Sequence, residues 1–418
     1  MTEGDPLPSA AAPAPTEFWK LWSGQSISLL GSLVSRIVLP FVVIYSLGAS
    51  ADQVAWVRAA EIAPGVAAGL FAGVWVDRWR RRPLMVGADL ARGLMLLSLP
   101  ASYWLGLLSL VQVLVVAAAV SVLSATFGAA YEAYLPGLVG VARLENANSR
   151  LGASAAVAEV AGFGLAGFLF QVTGIAALVV DGCSYFLSAL SLSSIRHRET
   201  VSPRPSAASP VREIREGLHA LLSRPLLVRL ALAACARALG GGVIGAVYVL
   251  YISRGLQVAP GLQGLLYALG GVSAFAGAWL ASRVRRRWEL GRTLAGTAVA
   301  AAAGIALVPL AFGPMGLILA FVTGQQLISD AADTIYEVLE TTVRQAAVEG
   351  HLLGRVTSAW QVATGSFLLV GTLAGGYLAT ASGLRVALWT GVGVQAVSAV
   401  WVIARLRTVR AVDVDHTT

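Results

Sequence analysis

Phe71-Ala72-Gly73-Val74-Trp75-Val76 returns 204 residues later as Phe275-Ala276-Gly277-Ala278-Trp279-Leu280. Each copy ends an apolar stretch and runs into arginines: Arg81 and Arg82 in the first, Arg285 and Arg286 at the same offset in the second. A long-period echo of this kind marks a chain built as two similar halves. Working outward, Tyr131-Glu132 finds its partner in Tyr336-Glu337, and Arg150 in Arg355, each 205 residues on.

The surroundings of the repeat fix the class. Hydrophobic residues make up 57% of the 418-residue chain and charged residues 12%, against about 25% charged in a soluble domain. The apolar residues come in runs long enough to cross ~30 Å of hydrocarbon as helices. Twelve spans are expected, at roughly 18–47, 53–76, 83–103, 107–134, 148–170, 175–195, 226–252, 261–282, 292–311, 315–341, 354–379 and 386–405. The fold class is therefore an all-α membrane protein, twelve transmembrane helices in two pseudo-symmetric six-helix bundles. Residues 18–195 form the first bundle and 226–405 the second. The Pro- and Ala-rich residues 1–17 read as a disordered tail, 406–418 as a C-terminal tail, and 196–225 as a linker. Within the linker, Ile214, Leu218, Leu221 and Leu222 share a helical face, which predicts a short amphipathic helix on the membrane surface.

With the N-terminus placed inside, Lys20, Arg78, Arg80, Arg81, Arg82, Arg143, Arg150, Arg283, Arg285 to Arg287, Arg292, Arg344, Arg355 and the linker arginines fall on the cytoplasmic side. The outer loops keep Arg254 and Arg385. This asymmetry predicts both termini in the cytoplasm and a multi-pass protein of a bacterial-type inner membrane. It also assigns the net charge of +8 to lipid head groups rather than to nucleic acid. Cys183 and Cys235 read as small buried hydrophobes. The four histidines and two cysteines have no metal-ligand spacing. No cofactor, no metal and no enzymatic activity are expected.

Gly73, Asp77, Arg78, Arg81 and Arg82, in the loop after the second span, resemble the loop signature of the major facilitator superfamily. Twelve spans, a central linker and a degenerate second copy after span eight extend the resemblance over nearly the whole chain. Three further stretches are similar to its macrolide-efflux and enterobactin-exporter branch: Leu21-Trp22-Ser23-Gly24-Gln25-Ser26-Ile27-Ser28, Asp89-Leu90-Ala91-Arg92 and Glu145-Asn146-Ala147-Asn148-Ser149-Arg150. The resemblance implies outward transport of amphipathic small molecules, usually driven by protons.

Two sets of residues are candidates for that work. The first is a gating latch: Asp77 against a helix N-terminus, which the resemblance places in span eleven, with Arg78, Arg81 and Arg82 reaching Glu132. The second is the set of charges inside the spans, where a charge normally faces a cavity or a partner. Arg36, Arg58, Glu61, Glu159, Asp330 and Asp333 are the candidates for proton coupling or substrate contact, with an Arg36–Glu61 pair expected. Asp330, Asp333, Glu337 and Glu340 make one acidic stripe on span ten. Gly162, Gly164 and Gly167, like Gly371 and Gly375, are expected to pack helices closely. The expected function is a secondary exporter of amphipathic small molecules by proton antiport and alternating access, working as a monomer. A small-nutrient uptake carrier of the same fold is the alternative, and a non-transporting membrane sensor the remote one.

Overall fold

Apolar composition and internal backbone pairing together dictate helices here, because a lipid-exposed backbone must satisfy its own hydrogen bonds. The structure, a computed structural model, describes residues 15–196, 210–350 and 352–407, with the side chains of 70–78 and a few others outside the description. The tail residues 1–14 and 408–418 and the linker residues 197–209 likewise lie outside it.

The helices are α1 (Pro15–Phe41), α2 (Ala51–Arg78), α3 (Arg81–Trp104), α4 (Leu110–Val139), α5 (Leu144–Thr173), α6 (Leu178–Ser193), α7 (Pro210–Leu222), α8 (Pro225–Leu250), α9 (Pro260–Arg287), α10 (Leu290–Leu310), α11 (Met315–Ala346), α12 (Leu353–Ser382) and α13 (Leu384–Leu406). Every expected span falls on one of these, with α7 the short helix of the linker. Among the described residues ten helical runs are long and apolar enough to cross a membrane, one of them being the continuous run Leu144–Ser193. Observed helices extend past the expected spans where polar turns continue them, as at the end of α11. Gly383, at φ +94°, lets α13 start one residue after α12 stops.

The duplication seen in the repeat reappears in the packing. α1 packs on α5 and α6 as α8 packs on α12 and α13; α2 meets α4 as α9 meets α11; α3 meets α4 and α6 as α10 meets α11 and α13. Each half also ends its first long helix in a five-residue π-turn, Val42–Ser46 after α1 and Tyr251–Gly255 after α8. The first six helices meet the last six chiefly through α5 on α9 and α2 on α12. The expected small-residue contacts are there: a Cβ on Gly167 would stand 2.7 Å from Gly264, and one on Gly375 2.6 Å from the Val243 carbonyl.

The start of α1 lies beside the end of α6, on what is called here the terminal face: the Arg196 N–H donates to Glu17, and Lys20 donates to the Ser194 carbonyl. Leu406, at the end of α13, clusters with Leu227 at the start of α8, and the far ends of α1 and α8 share one core, which puts the end of α13 on the same side. On the opposite, distal face one apolar core joins residues of both halves, Val42, Ile44 and Ala51 with Val247, Leu250 and Ile252 among them. Toward the terminal face the core divides in two. Leu21, Met85, Phe127 and Leu192 belong to one cluster, and Leu227, Leu294, Leu339 and Leu406 to another. The halves are thus welded at the distal end and separate at the other.

Helix α7 sits against α12. Leu221 is buried in the terminal core of the second half, while Leu218 and Leu222 are exposed, so one residue of the predicted face is spent on the protein. Glu216 pairs with Arg212 at 2.8 Å and with Arg355 at 3.0 Å. The Arg212 hydrogen bond, with help from the Arg355 charge, holds the Glu216 carboxyl below the usual carboxylate range. One expectation fails: Cys235 is buried, but Cys183 is exposed on α6.

Candidate functional site

The separation of the two cores leaves a cavity of about 580 Å³ between the halves. Arg36 of α1, Arg58 and Glu61 of α2, and Glu159 of α5 line it from the first half; Asp330, Asp333 and Glu337 of α11 line it from the second. Between these charges stand Pro40, Val57, Phe163, Ile244, Tyr248 and Tyr267. The cavity walls are therefore mixed: apolar and aromatic surface with ionisable side chains placed at intervals. All six residues expected to couple protons or touch substrate line this one space.

The expected Arg36–Glu61 pair does not form. Glu61 accepts instead from Arg58 of its own helix at 2.8 Å, since residues three apart already share a face and need no second helix to align them. Arg36 stays exposed to the cavity. The acidic stripe also divides. Asp333 accepts from Arg237 of α8 at 2.5 Å, and that guanidinium lies 4.3 Å from the centre of the Tyr336 ring. Glu340 turns inward, is 7% exposed and has Arg344 at 3.9 Å, while Glu337 is open to the cavity. Asp330 makes no ion pair among the described residues. Gly270 makes room for it, because a Cβ there would stand 2.7 Å from Gln326 Oε1 and against the Asp330 carboxylate.

Each half carries a polar side chamber that opens from the central cavity. The first, about 480 Å³, shares Arg36, Arg58 and Glu61 with it and runs past Ser32, Ser35 and Ser124 to Arg92, Asp181 and Tyr185. The second, about 460 Å³, shares Gly241, Asp333 and Glu337 and reaches Tyr336, Trp360 and Gln361. Arg92 pairs with Asp89, three residues earlier on α3, and lies 4.5 Å from the Phe127 ring centre and 4.3 Å from that of Tyr185.

At the terminal face, Arg81 donates to the Ala133 carbonyl at 3.0 Å and Arg82 to the Leu192 carbonyl at 2.8 Å and to the Ser193 carbonyl. The last carbonyls of a helix have no partner within it, so the end of α6 is the acceptor that Arg82 meets. Glu132 is exposed and forms no ion pair among the described residues, contrary to the expected pairing with these arginines. Gly73, Asp77 and Arg78 lie on α2, with side chains outside the described residues.

Sequence reasoning missed Asp181, a lone acid in the apolar run of α6, which is 1% exposed. Its presence in an 18-residue apolar stretch was the available signal. It also missed the aromatic wall: Tyr248 donates to Gln325 Oε1 at 2.6 Å and lies 6.1 Å from Tyr267, centre to centre. Tyrosines in apolar spans carry no periodic mark that separates cavity from lipid.

A sequence profile described as Major Facilitator Superfamily matches residues 21–334. A protein of Sinorhizobium fredii, described as an uncharacterized MFS-type transporter, y4rN, is 27% identical over 352 residues, spanning 81% of this chain and 83% of that protein. A bacterial homologue of the iron transporter ferroportin, crystallised in its inward-facing state, matches with TM-score 0.72 at 17% identity, over 93% of this chain and 98% of that one. The nucleoside transporter NupG matches with TM-score 0.73 at 12% identity, over 94% and 100%. At such identities the likeness is one of fold.

Proposed function

The chain belongs to the Major Facilitator Superfamily, a family of small-molecule transporters rather than enzymes, and on that premise we propose that it is a secondary active exporter of amphipathic small molecules. The observation that carries this reading is the cavity of about 580 Å³, whose apolar and aromatic walls are interrupted by charges. Such a wall suits a compound with both an apolar body and a polar or ionised group. In this reading the two six-helix halves rock about the cavity, and substrate is moved because the two states bind it with different affinity. The single distal core and the divided terminal core support an inward-facing state with both termini in the cytoplasm. A bacterial-type inner membrane and a working monomer complete the proposal, as does membership of the macrolide-efflux and enterobactin-exporter branch.

Proton antiport supplies the energy in this reading, with Glu159, Asp330 and Asp333 as carboxylate candidates and Arg36, Arg58 and Glu61 as the facing set. The latch of Gly73, Asp77, Arg78, Arg81, Arg82 and Glu132 closes the terminal side in the opposite state. The exposed Glu132 fits a latch that is open when that side is open.

A second reading, uptake of a small polar nutrient, is favoured by the number of charged residues in the cavity wall. Accumulation of labelled compounds in cells with and without the protein, repeated with a protonophore, separates the two. Export lowers accumulation in expressing cells and the protonophore restores it; uptake raises accumulation and the protonophore abolishes it.

A further inference from the structure

Two amides follow one another on α11, and only one of them has a partner. Gln325 is 3% exposed and accepts from the Tyr248 hydroxyl at 2.6 Å. Gln326 is 4% exposed, lines the central cavity and makes no hydrogen bond among the described residues. The Tyr267 hydroxyl, from α9, which packs on α11, lines the same wall and is likewise buried without a partner. One turn after Tyr267, Gly270 keeps the wall flat around the free amide: a Cβ there would stand 2.7 Å from Gln326 Oε1 and against the Asp330 carboxylate.

The chemistry of the free amide decides what completes it. A side-chain amide carries a carbonyl acceptor and two N–H donors, so it needs a partner of each kind. Leaving such a group buried and unpaired costs about 1–3 kcal/mol, and native buried polar groups are normally paired with protein, water or a ligand. Water serves while the cavity holds no solute, but a solute that displaces it must replace its bonds or bind weakly. An ammonium group only donates, and leaves the Gln326 N–H groups without an acceptor. A carboxylate only accepts, and sets a second anion beside Asp330. A group with an N–H next to a carbonyl meets both ends at once: its carbonyl accepts from Gln326 Nε2 while its N–H donates to Oε1. Tyr248 and Tyr267, 6.1 Å apart centre to centre, with Phe163 of the first half, supply aromatic surface for the rest of such a molecule.

We propose that Gln326 is the specificity-determining residue of the cavity, and that it selects compounds whose polar end is an amide, lactam or imide edge carried on an aromatic or apolar body. The inference rests on the transport of amphipathic compounds proposed above, whichever its direction, and names the polar group that the cavity reads.

Calorimetric titration of the purified full-length protein with three matched probes, against a blank of detergent micelles, tests it. The probes are naphthamide, methyl naphthoate, which keeps the carbonyl and loses the N–H, and naphthylmethylamine, which keeps only donors. The wild type should bind naphthamide at least about tenfold tighter than the ester, as one or two neutral hydrogen bonds allow. Gln326→Leu, close in size to the residue it replaces, should bring that ratio to about one. Equal affinity of the wild type for amide and ester overturns the proposal and leaves transport itself to the accumulation measurement. Tighter binding of the amine that survives in Gln326→Leu also overturns it, and gives the polar end to Asp330 alone. Loss of amide and ester alike in Gln326→Leu makes Gln326 a packing residue and overturns it as well. Failure of all three probes to bind the wild type removes the amphipathic cargo and this specificity together.

Discussion

Arg254 donates to the Ile44 carbonyl oxygen at 2.7 Å, and so ties the π-turn that ends α8 to the π-turn that ends α1. The same guanidinium reaches the Ala49 carbonyl at 2.9 Å. Nearby, Thr380 donates to Asp52 at 3.1 Å and the Gly261 N–H to Gln171 at 2.8 Å. These are polar clasps across the distal face, and a guanidinium satisfying two carbonyls contributes about 1.5–3 kcal/mol per charge-assisted bond at most. Arg254→Gln should therefore open the distal side more often. A cysteine placed at Val54, in the cavity wall beneath the clasp, should react faster with a membrane-impermeant thiol reagent added from the distal side. An unchanged labelling rate would remove Arg254 from the closure.

Glycines at helix contacts differ in what surrounds them, and the difference predicts opposite phenotypes. A Cβ on Gly371 would run into the Leu239 backbone carbonyl, which has nowhere to go. Gly371→Ala should force α12 from α8 and lower stability by about 1–3 kcal/mol, as overpacking does. At Gly270 the obstacles are the far ends of Asp330 and Gln326, which swing aside. Gly270→Ala should leave Tm within a degree or two and instead weaken transport, because it displaces cavity carboxylate and amide groups. Thermal melts beside transport rates of the two variants read this directly.

How far the residues themselves foretell this arrangement depends on the kind of signal. Helix positions were legible because each span needs a continuous apolar run, and the repeat at Phe71 and Phe275 announced the paired packing of α2 with α4 and α9 with α11. That the charges of α1, α2, α5 and α11 share one cavity was legible too, since lipid repels them all. Their pairings were not. Whether Glu61 meets Arg58 or Arg36, and whether Asp333 meets Arg237, is set by rotation of helices about their axes, which hydropathy leaves free. Asp181 and Cys183, two residues apart on α6, make the point: one is 1% exposed and the other faces outward.

The Arg237–Asp333 pair invites a double-mutant cycle. Asp333 is 35% exposed at its side chain and Arg237 12%, so the pair is screened on one side by cavity water. Arg237→Gln should destabilise by about 1–3 kcal/mol, less than the ~3–5 kcal/mol of a fully enclosed pair. Asp333→Asn should lose less, and the double variant should recover part of the loss. Additive changes in the denaturation midpoints would mean that the two side chains do not act together.

Asp330, like Glu159 and Glu337, is a cavity acid without an ion-pair partner among the described residues, and its conversion to asparagine keeps its size. Asp330→Asn should leave substrate exchange across a membrane running while the protonophore-sensitive, uphill part of transport falls at least tenfold. A variant that still concentrates substrate against a gradient as the wild type does would exclude this carboxylate as the coupling group.

The last expectation concerns α7 and acid. Glu216 has its carboxyl held below the ordinary range, first by the hydrogen bond from Arg212 and then by the charge of Arg355. A group whose folded pKa is depressed lends stability above its unfolded pKa and loses it as pH falls through the folded value. The clasp between α7 and α12 should accordingly hold at neutral pH and release only in acid, below the usual carboxylate range. Amide protection factors of residues 210–222, normalised to the intrinsic exchange rate at each pH, read the release: high at neutral pH, lower in acid, and low at both in Glu216→Gln. Because Gly217 lies against the Arg355 carbonyl, Gly217→Val should free α7 by steric means at every pH. Protection of residues 210–222 that stays high at neutral pH in Glu216→Gln would assign the docking of α7 to Leu221 and its apolar contacts instead.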